Sequence, residues 1–508
     1  MTDFNTMPRM LTPDATITRA GQMLNTAKWA ASRYAKMDAA AVHNISEAVA
    51  NAAFLRSREY AEWAVKESGY GRVEHKVKKN EACSKGIFER YGSIDYVSPR
   101  IDRDLKIVEL PRPAGVVLAL TPVTNPIATL YFKTLLALMT RNAIILCPHP
   151  GSKAVCSDAA CTLAAAAVSA GAPPGLILVV DEPTLPLIDI FMTSEVVDLI
   201  VATGGPAVVK AAYQSGNPAI GVGSGNAPVL VDDTADLRKT ARRIVESKAF
   251  DNSILCTNES TVLAFEQIAD ELLNQLKIAK AHICSPEEVQ KLRSLLYSNG
   301  AFNSDMIGKD ASRIAQAAGF RAEGAEILLA QVDLIQPEEV LIREKLCPVL
   351  AFGRVKDLDE AMAAARSVMR NSGKGHSAVV HSKSERNVLA FADAVPALRI
   401  CVNVGLSLGA SGFDTNLGPS MTIGTGFAGG SSVGDNLTPQ NFINMARIAY
   451  NKSDSEVFGN YEGLCRKTIQ PQQPLSSITA AQPSAGAGEI RDELRRLIQE
   501  ELKALLAA

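Results

Sequence analysis

Short apolar segments alternate with longer amphipathic segments through most of the chain. Five segments predict strands: 105–110 (LKIVEL), 114–120 (AGVVLAL), 143–147 (AIILC), 176–180 (LILVV) and 197–202 (VDLIVA). Between them, residues 128–140 and 152–171 have the length and composition of helices. Continuous apolar strands separated by helices are typical of parallel βαβ units. The pattern therefore predicts an α/β fold built on a doubly wound parallel sheet.

The residues before and after this region also predict regular structure. Residues 14 to about 90 read as helical. A second α/β unit begins near residue 232, with a helix over 235–249, a strand at TVLAF and helices within 266–299. The run from 404 to 434 is rich in Gly and Ser, which predicts tightly turning loops.

The C-terminal tail differs in composition from the rest. Residues 468–488 are mostly Pro, Gln, Ser, Ala and Gly, which is typical of a linker. The last segment, 489–508, predicts an amphipathic helix with one apolar stripe: Ile490, Leu494, Leu497, Ile498, Leu502 and Leu505. A helix of about 20 residues is marginal alone in water. The pattern favours a docking peptide, and a helix that packs back on its own oligomer remains the alternative.

Size and charge limit the classes of function. The chain has 508 residues and a formal net charge of −2, so no global field favours nucleic acid or an anionic membrane. Its length predicts two to four domains, and 47% hydrophobic residues can build a large core. The uncharged stretches 113–132 and 159–180 are interrupted by prolines and read as buried pieces rather than membrane spans. The N-terminus has no apolar signal region, which favours the cytoplasm.

The nine cysteines are scattered and form no CxxC, which favours reduced thiols over disulfides or a zinc ribbon. Four histidines, His75, His149, His282 and His381, have no metal-ligand spacing to Cys, Asp or Glu, so we expect no metal. Cys256 lies in FDNSILC, between a predicted helix and a β-rich run, where a loop would expose a nucleophile. Its spacing alone does not distinguish it from a buried packing residue.

Several longer strings, in order along the chain, resemble the CoA-acylating aldehyde dehydrogenases, including the acetaldehyde and propionaldehyde dehydrogenases of bacterial microcompartments. They are GAPPGLI (171–177), ATGGPAVVKAAYQSGNPAIGVGSGNAPV (202–229), FDNSILC (250–256), GKGHSAVVHS (373–382) and PSMTIGTGFAGGSSVGDNLTPQNFINMARIAY (419–450). The resemblance covers about residues 15–455. It implies the aldehyde dehydrogenase fold and oxidation of a short-chain aldehyde to an acyl-CoA.

The resemblance assigns catalytic roles. Cys256 matches the nucleophile, which forms a thiohemiacetal and then a thioester. Asn125 and the Cys256 backbone N–H match the donors to the thiohemiacetal oxygen. Hydrolytic relatives place a glutamate base where this chain has Val222, so CoA rather than water should take the acyl group. His376 is either a proton shuttle or a structural histidine.

The resemblance also implies NAD, with CoA as co-substrate. Eight residues match the positions that bind the dinucleotide: Thr121, Pro122, His149, Thr203, Gly204, Gly205, Gly223 and Glu344. Glycines before a helix let a pyrophosphate approach its N-terminus. Hydrolytic relatives place a lysine near the position of Cys147, where it can contact the 2′-phosphate of NADP. Its absence here favours NAD over NADP. Ser253, Ile254 and Thr257 imply a small apolar substrate pocket, without deciding between acetaldehyde and propionaldehyde.

The resemblance implies the following organisation: a cofactor-binding domain (1–231, with 95–110 in an oligomerisation extension), a catalytic domain (232–425), a returning oligomerisation segment (426–467), the linker (468–488) and an encapsulation-type helix (489–508). A homodimer or homotetramer is expected by analogy. The tail helix implies docking to shell or core proteins of a bacterial microcompartment. A hydrolytic aldehyde dehydrogenase and a non-catalytic assembly protein remain the alternatives.

Overall fold

The computed structural model describes residues 13–463. The predicted linker over 468–488 and the predicted helix over 489–508 lie outside the described residues. Within them, no helix is long and apolar enough to cross a membrane. The eight cysteines of this region are free thiols.

The predicted N-terminal helical region is confirmed. It consists of α1 (Pro13–Tyr34), α2 (Ala39–Leu55), α3 (Ser57–Ser68), α4 (Val73–Glu81), a π-helical turn (Ala82–Gly86) and α5 (Ile87–Tyr91). The Asp38 side chain accepts from the Ala41 N–H and caps α2. Gly69, at φ 70°, ends α3 in the left-handed conformation that favours glycine. Two lysines of α4, Lys76 and Lys79, are buried.

The first sheet is parallel and five-stranded, in the order β5-β4-β3-β6-β7. Its strands are β3 (Val116–Thr121), β4 (Ala143–Pro148), β5 (Ile177–Val179), β6 (Leu199–Thr203) and β7 (Ala219–Val222). Its connecting helices are α6 (Pro126–Met139), α7 (Lys153–Ser169), α8 (Leu185–Thr193) and α9 (Pro206–Gln214). The strand order reverses between β3 and β6, and ligands bind at such switch points, beyond the carboxyl ends of the strands.

The second sheet is parallel and seven-stranded, in the order β10-β11-β12-β9-β8-β13-β14. Its strands are β8 (Ala227–Val231), β9 (Glu259–Phe265), β10 (Ala281–Ile283), β11 (Ile327–Gln331), β12 (Val349–Val355), β13 (Ser377–His381) and β14 (Arg399–Val402). Its helices are α10 (Leu237–Ala249), α11 (Glu266–Ile278), α12 (Pro286–Leu296), α13 (Ala311–Ala317), α14 (Leu358–Asn371), α15 (Glu385–Ala394) and α16 (Leu406–Gly409). The predicted α/β fold with doubly wound parallel sheets is confirmed.

A small antiparallel sheet joins two distant parts of the chain. Strand β15 (Ile443–Ala449) pairs along the whole of β2 (Ile107–Pro113), which also pairs with β1 (Arg100–Asp102). Strands β1 and β2 lie in or next to the predicted extension near 95–110, and β15 lies in the predicted returning segment over 426–467. Their role in oligomerisation stays a prediction. The predicted boundary at residue 231 left β8 with the first domain, whereas β8 pairs with β9 and β13 of the second sheet.

Candidate active site

A cavity of about 790 Å³ opens where β3 and β6 end. It is lined by Cys256 and Asn125, by every residue of the predicted dinucleotide site and by two of the predicted pocket residues. The lining residues from these predictions are Thr121, Pro122, Asn125, His149, Thr203, Gly204, Gly205, Gly223, Ile254, Cys256, Thr257 and Glu344. The fold thus brings together, at the switch point of the first sheet, positions that are up to 223 residues apart in the sequence, from Thr121 to Glu344.

Cys256 follows a turn in an unusual backbone conformation. Helix α10 ends at Ala249, and Asp251, Asn252 and Ser253 then have φ values of 47°, 52° and 62°. Three consecutive non-glycine residues in the left-handed region are costly unless their surroundings hold them there. Beyond the turn, Asn258 Nδ2 donates to the carbonyl of Leu255 at 2.6 Å and to that of Ser253 at 3.1 Å. These bonds fix the loop that carries the thiol.

The environment of Cys256 disfavours the thiolate in the free protein. Burial raises the pKa of the Cys256 thiol to about 12, and the nearby Glu344 carboxylate adds to the rise. Backbone N–H groups and the Arg399 guanidinium act in the opposite direction. Because the thiolate is the nucleophile, the site needs an additional positive influence to attack a carbonyl near neutral pH.

Asn125 stands immediately before α6, which begins at Pro126. Its side chain is 8% exposed. The Nδ2 atom lies 3.3 Å from the Ile254 carbonyl oxygen, next to the cysteine loop, and the Oδ1 atom accepts from the Lys79 ammonium. The amide N–H edge therefore faces the loop of Cys256, the predicted nucleophile, where a donor to an oxyanion would have to be.

Glu344 is the carboxylate of the cavity. Its Oε1 atom accepts from the Gly225 N–H at 2.8 Å, and it lies outside the described helices. Burial raises the pKa of Glu344 to about 8. Val222 ends β7, is 3% exposed and also lines the cavity, so the position that matches the base of hydrolytic relatives holds an apolar side chain there.

The glycines of the cavity leave room for a ligand. Gly205 precedes α9, and no described side chain caps that helix. A Cβ on Gly205 or on Gly223 would meet no atom within 4 Å, so open space faces both positions. Uncapped N–H groups at the start of a helix bind phosphate oxygens. The observed cradle fits the pyrophosphate of a dinucleotide.

Two predicted residues are placed elsewhere. His376 is fully buried and does not line the cavity; its Nδ1 lies 2.9 Å from Ser377 Oγ, and its carbonyl accepts from Arg399. Burial, together with the Arg399 charge, lowers the pKa of His376 to about 3, so the ring is neutral near pH 7. This contradicts a proton shuttle in contact with the cavity and favours the structural alternative. Ser253 also does not line the cavity, because its hydroxyl donates to the Lys248 carbonyl inside the protein.

The structure adds residues that the sequence did not single out. Lys79 and Asp251 form a buried ion pair beside Asn125, and Arg399 donates to backbone carbonyls of the glycine-rich loops, including Gly375 and Gly434. Lys79 lies in a helix of mixed polarity and Arg399 begins a short strand, so neither stands in a recognisable motif. The sequence offered one signal for this arrangement, the pair Asp251-Asn252 in FDNSILC. Asp and Asn tolerate the left-handed conformation, so the pair favours a turn before Cys256.

One group of possible metal ligands lies outside the cavity. The ligand atoms of His282, Cys284 and Glu288 lie within 4.8 Å of one another, so the expectation that His282 has no such neighbours was wrong. A helix cap accounts for part of this arrangement. Glu288 accepts from the Ser285 N–H at 2.9 Å in a capping box and lies 3.0 Å from His282 Nε2.

The chain is similar in sequence to several known proteins. The sequence profile described as "Aldehyde dehydrogenase family" matches residues 6–289. The bifunctional aldehyde-alcohol dehydrogenase of Escherichia coli K12 is 35% identical over 434 residues, which are 84% of this chain. The chain spans about half of that relative, 49% of its length. The acetylating succinate-semialdehyde dehydrogenase of Clostridium kluyveri is 32% identical over 441 residues, which cover 86% of this chain and 96% of that protein.

Solved structures give the same answer. An acetylating aldehyde dehydrogenase from Geobacillus thermoglucosidasius superposes with a TM-score of 0.84 at 36% identity, covering 86% of this chain and 97% of that chain. A propionaldehyde dehydrogenase from the fucose utilisation bacterial microcompartment of Clostridium phytofermentans superposes with a TM-score of 0.78 at 29% identity, covering 85% and 98%. Together, the parallel sheets, the match to the family profile and these relatives show that the chain belongs to the aldehyde dehydrogenase family, among its CoA-acylating members.

Proposed function

We propose that this protein oxidises a short-chain aldehyde to an acyl-CoA with NAD⁺, through a thioester on Cys256. The observation that carries the proposal is one cavity in which Cys256 and Asn125 meet the apolar Val222. The first two residues supply a nucleophile and a donor for the oxyanion. Val222 cannot accept a proton from an attacking water, whereas hydrolytic relatives have a glutamate base at the matching position. The acetylating relatives support the same reaction class.

The residues of this chain have distinct roles in the proposed reaction. The Cys256 thiolate attacks the aldehyde carbon, and the oxygen of the thiohemiacetal becomes an oxyanion that accepts from Asn125 Nδ2 and from the Cys256 N–H. A bound NAD⁺ would supply a positive ring charge that favours the thiolate and an acceptor for the hydride of the thiohemiacetal carbon. The resulting thioester is attacked by the CoA thiolate, which forms acyl-CoA and regenerates the Cys256 thiolate. The overall balance is aldehyde, NAD⁺ and CoA to acyl-CoA, NADH and a proton.

The cavity supports a dinucleotide on three grounds. The start of α9 with Gly204 and Gly205 would hold the pyrophosphate, Glu344 would accept from the hydroxyls of the nicotinamide ribose, and His149 lies at the end of β4 for the adenosine side. The first of these rests on the open space beside Gly205. The other two rest on matches of sequence position.

We also propose a preference for NAD⁺ over NADP⁺, which the charges near His149 support. The nearest lysine in sequence, Lys153, pairs with Glu182 at 2.5 Å, so its charge is already balanced. A 2′-phosphate would therefore bring two negative charges without an unpaired lysine beside it. We expect kcat/KM to be higher with NAD⁺ than with NADP⁺. Equal values would show that another cation receives the phosphate.

The proposals for the substrate and the partners rest on the cavity wall and on the pattern of the tail. Ile254 and Thr257 face the cavity, and Thr257 Oγ1 donates to the Ser407 carbonyl at 2.8 Å, so its methyl group is left for the pocket. A short aliphatic aldehyde such as acetaldehyde or propionaldehyde suits such a wall. We propose that residues 489–508 dock to shell or core proteins of a microcompartment, as their amphipathic pattern and a relative from a fucose utilisation microcompartment support. The three-stranded sheet is the proposed contact of a dimer or tetramer.

The test is NADH formation from propionaldehyde and NAD⁺, with and without CoA, for the wild type and for Cys256→Ala. Cys161→Ala is the matched control, because Cys161 is an exposed thiol outside the cavity. Turnover that requires both CoA and Cys256, and that is unchanged in the control, is the expected result. Without CoA, the wild type should release one equivalent of NADH for each active site and then stop.

A hydrolytic aldehyde dehydrogenase is the second candidate, because Glu344 places one carboxylate in the cavity. Steady NADH and carboxylate formation without CoA, abolished by Glu344→Gln, would favour it. An assembly protein without catalysis would show no turnover under any condition. Each outcome is distinct in the same assay.

A further inference from the structure

A cluster of buried charges lies beside Asn125. Lys76 and Lys79 of α4 and Asp251 of the left-handed turn are 3%, 2% and 0% exposed. The Lys79 ammonium contacts Asp251 Oδ2, and the Lys76 ammonium lies 3.3 Å from the same oxygen. Taking three charged groups out of water costs several kcal/mol per ion unless close partners compensate. Because Lys79 contacts Asn125, which lines the cavity, these charges can act on the proposed active site.

Lys79 determines which edge of the Asn125 amide faces the nucleophile. An ammonium group can only donate, so the amide atom that it contacts must be the oxygen, Oδ1. The NH₂ group is thereby directed to the opposite side, where Nδ2 lies 3.3 Å from the Ile254 carbonyl. Reversing the amide would bring its N–H groups against a cation. The lysine thus excludes the orientation in which Asn125 could not donate to an oxyanion.

Asp251 connects the same lysine to the strained turn. Its Oδ1 atom accepts from the Arg72 N–H at 2.7 Å, and its own N–H donates to His75 Nδ1 at 2.8 Å. These bonds hold a non-glycine residue at a φ of 47°. The turn ends three residues before Cys256, so the position of the thiol depends on the conformation of Asp251.

We propose that Lys79 and Asp251 are positioning residues, whose ion pair aligns the oxyanion donor Asn125 with the nucleophile Cys256. This inference rests on the proposed roles of those two residues. The ammonium group also polarises the amide through Oδ1, which strengthens the N–H groups as donors. Lys76 is a counter-charge for Asp251, and its ammonium donates to the Thr124 carbonyl at 2.9 Å rather than to the Asn125 side chain.

The test separates a reaction that needs an oxyanion donor from one that does not. In the first, the Cys256 thiolate attacks 4-nitrophenyl acetate, passes through a tetrahedral oxyanion and expels 4-nitrophenolate, which leaves acetyl-Cys256. In the second, iodoacetamide alkylates the same thiolate by displacement of iodide, without a carbonyl oxyanion. Neither reaction uses NAD⁺ or CoA. Both can therefore be measured even if the dehydrogenase assay of the wild type fails.

Lys79→Met removes the charge at similar length, and Lys78→Met is the matched control because Lys78 is the exposed neighbour on the same helix. The loss of a whole oxyanion donor costs about 10²–10³ in rate, and misorientation of a donor that remains should cost about 10- to 100-fold. We expect this loss in the acylation of Lys79→Met, with the wild-type alkylation rate. The control should match the wild type in both reactions.

A double-mutant cycle tests whether Lys79 acts through Asn125. In an Asn125→Ala background, Lys79→Met should cause no further loss of acylation rate, because the group that it orients is absent. Asp251→Asn keeps the acceptor for Arg72 and should lower acylation more than alkylation, which provides a second variant if Lys79→Met does not fold.

Four results would overturn the proposal. Equal losses in acylation and alkylation would mean that the pair only maintains the loop. Full acylation in both Lys79→Met and Asp251→Asn would mean that the amide needs no such support. Additive losses in the cycle, or an Asn125→Ala variant with the acylation rate of the wild type, would show that Lys79 does not act through this amide.

Discussion

Replacing Val222 with glutamate should allow water to hydrolyse the proposed thioester on Cys256. Val222 lines the cavity that contains Cys256 and is 3% exposed. The cavity of about 790 Å³ beside it leaves room for the longer side chain. Water attacks a thioester slowly without a base, so an added carboxylate should produce aldehyde oxidation that does not stop in the absence of CoA.

The size of this effect follows from the environment of the cavity. Burial raises the pKa of Glu344, which lines the same cavity, to about 8. A carboxyl introduced at residue 222 meets similar burial, so roughly one molecule in ten would be ionised at pH 7. A general base contributes about 10²–10⁴ in rate, so the CoA-independent rate should rise about 10- to 1,000-fold at pH 7. It should increase about fivefold more by pH 8 and level off above about pH 9, as the carboxyl ionises.

The assay follows NADH after the first equivalent for each active site, together with carboxylate by mass spectrometry, from pH 6 to pH 9.5. Val222→Gln is the matched control, because it adds the same volume without a base. The initial equivalent of NADH reports whether acylation of Cys256 survives in each variant. The reasoning is refuted if Val222→Glu forms carboxylate no faster than Val222→Gln, or if its rate does not change with pH.

Three further predictions concern the site and its stability. A Cβ on Gly225 would lie 1.8 Å from the Cys256 carbonyl oxygen, so Gly225→Ala must displace the cysteine loop. Displacement of a reacting group by 1 Å lowers the rate about 100-fold. We therefore expect the rate of NADH formation to fall about 100-fold in Gly225→Ala, and a rate near that of the wild type would contradict this. Because the Glu344 charge raises the pKa of the Cys256 thiol, Glu344→Gln should move the pH profile of iodoacetamide alkylation to lower pH, and an unchanged profile would count against this. Burial lowers the pKa of His376 and His381 to about 3 from an ordinary value of 6.5. The unfolded chain therefore binds more protons below about pH 6.5, and the free energy of unfolding should fall as the pH decreases from there toward 3. Urea midpoints at several pH values would check this, and His381→Leu should show a smaller slope than the wild type.

Much of the fold could be predicted because it depends on local pattern. Apolar runs such as 143–147 and 197–202 become β4 (Ala143–Pro148) and β6 (Leu199–Thr203), since strands covered on both faces need continuous apolar residues. The sheet to which each strand belongs is not local information. Strand β8 shows this, because its apolar composition fits either sheet and only its pairing with β9 and β13 assigns it to the second.

The site was predictable to the extent that its residues lie in recognisable strings. Cys256 was identified from the string FDNSILC and Asn125 from a position that matches the family, and the cavity brings them together. His376 stands in an equally recognisable string, GKGHS, and yet does not reach the cavity. A string specifies which residue is present and roughly which element it follows. It does not specify whether the side chain points into a cavity or into the core.

By itself, the sequence determined the alternation of strands and helices, the class of fold and the residue types available for chemistry, because these depend on neighbours along the chain. Only the tertiary structure decided which charges are buried together and which amide edge faces the nucleophile. Lys79 and Asp251 are 172 residues apart, and neither would be expected inside a protein alone. They are tolerated there because each offsets the desolvation of the other, and such a partnership exists only once the chain has folded.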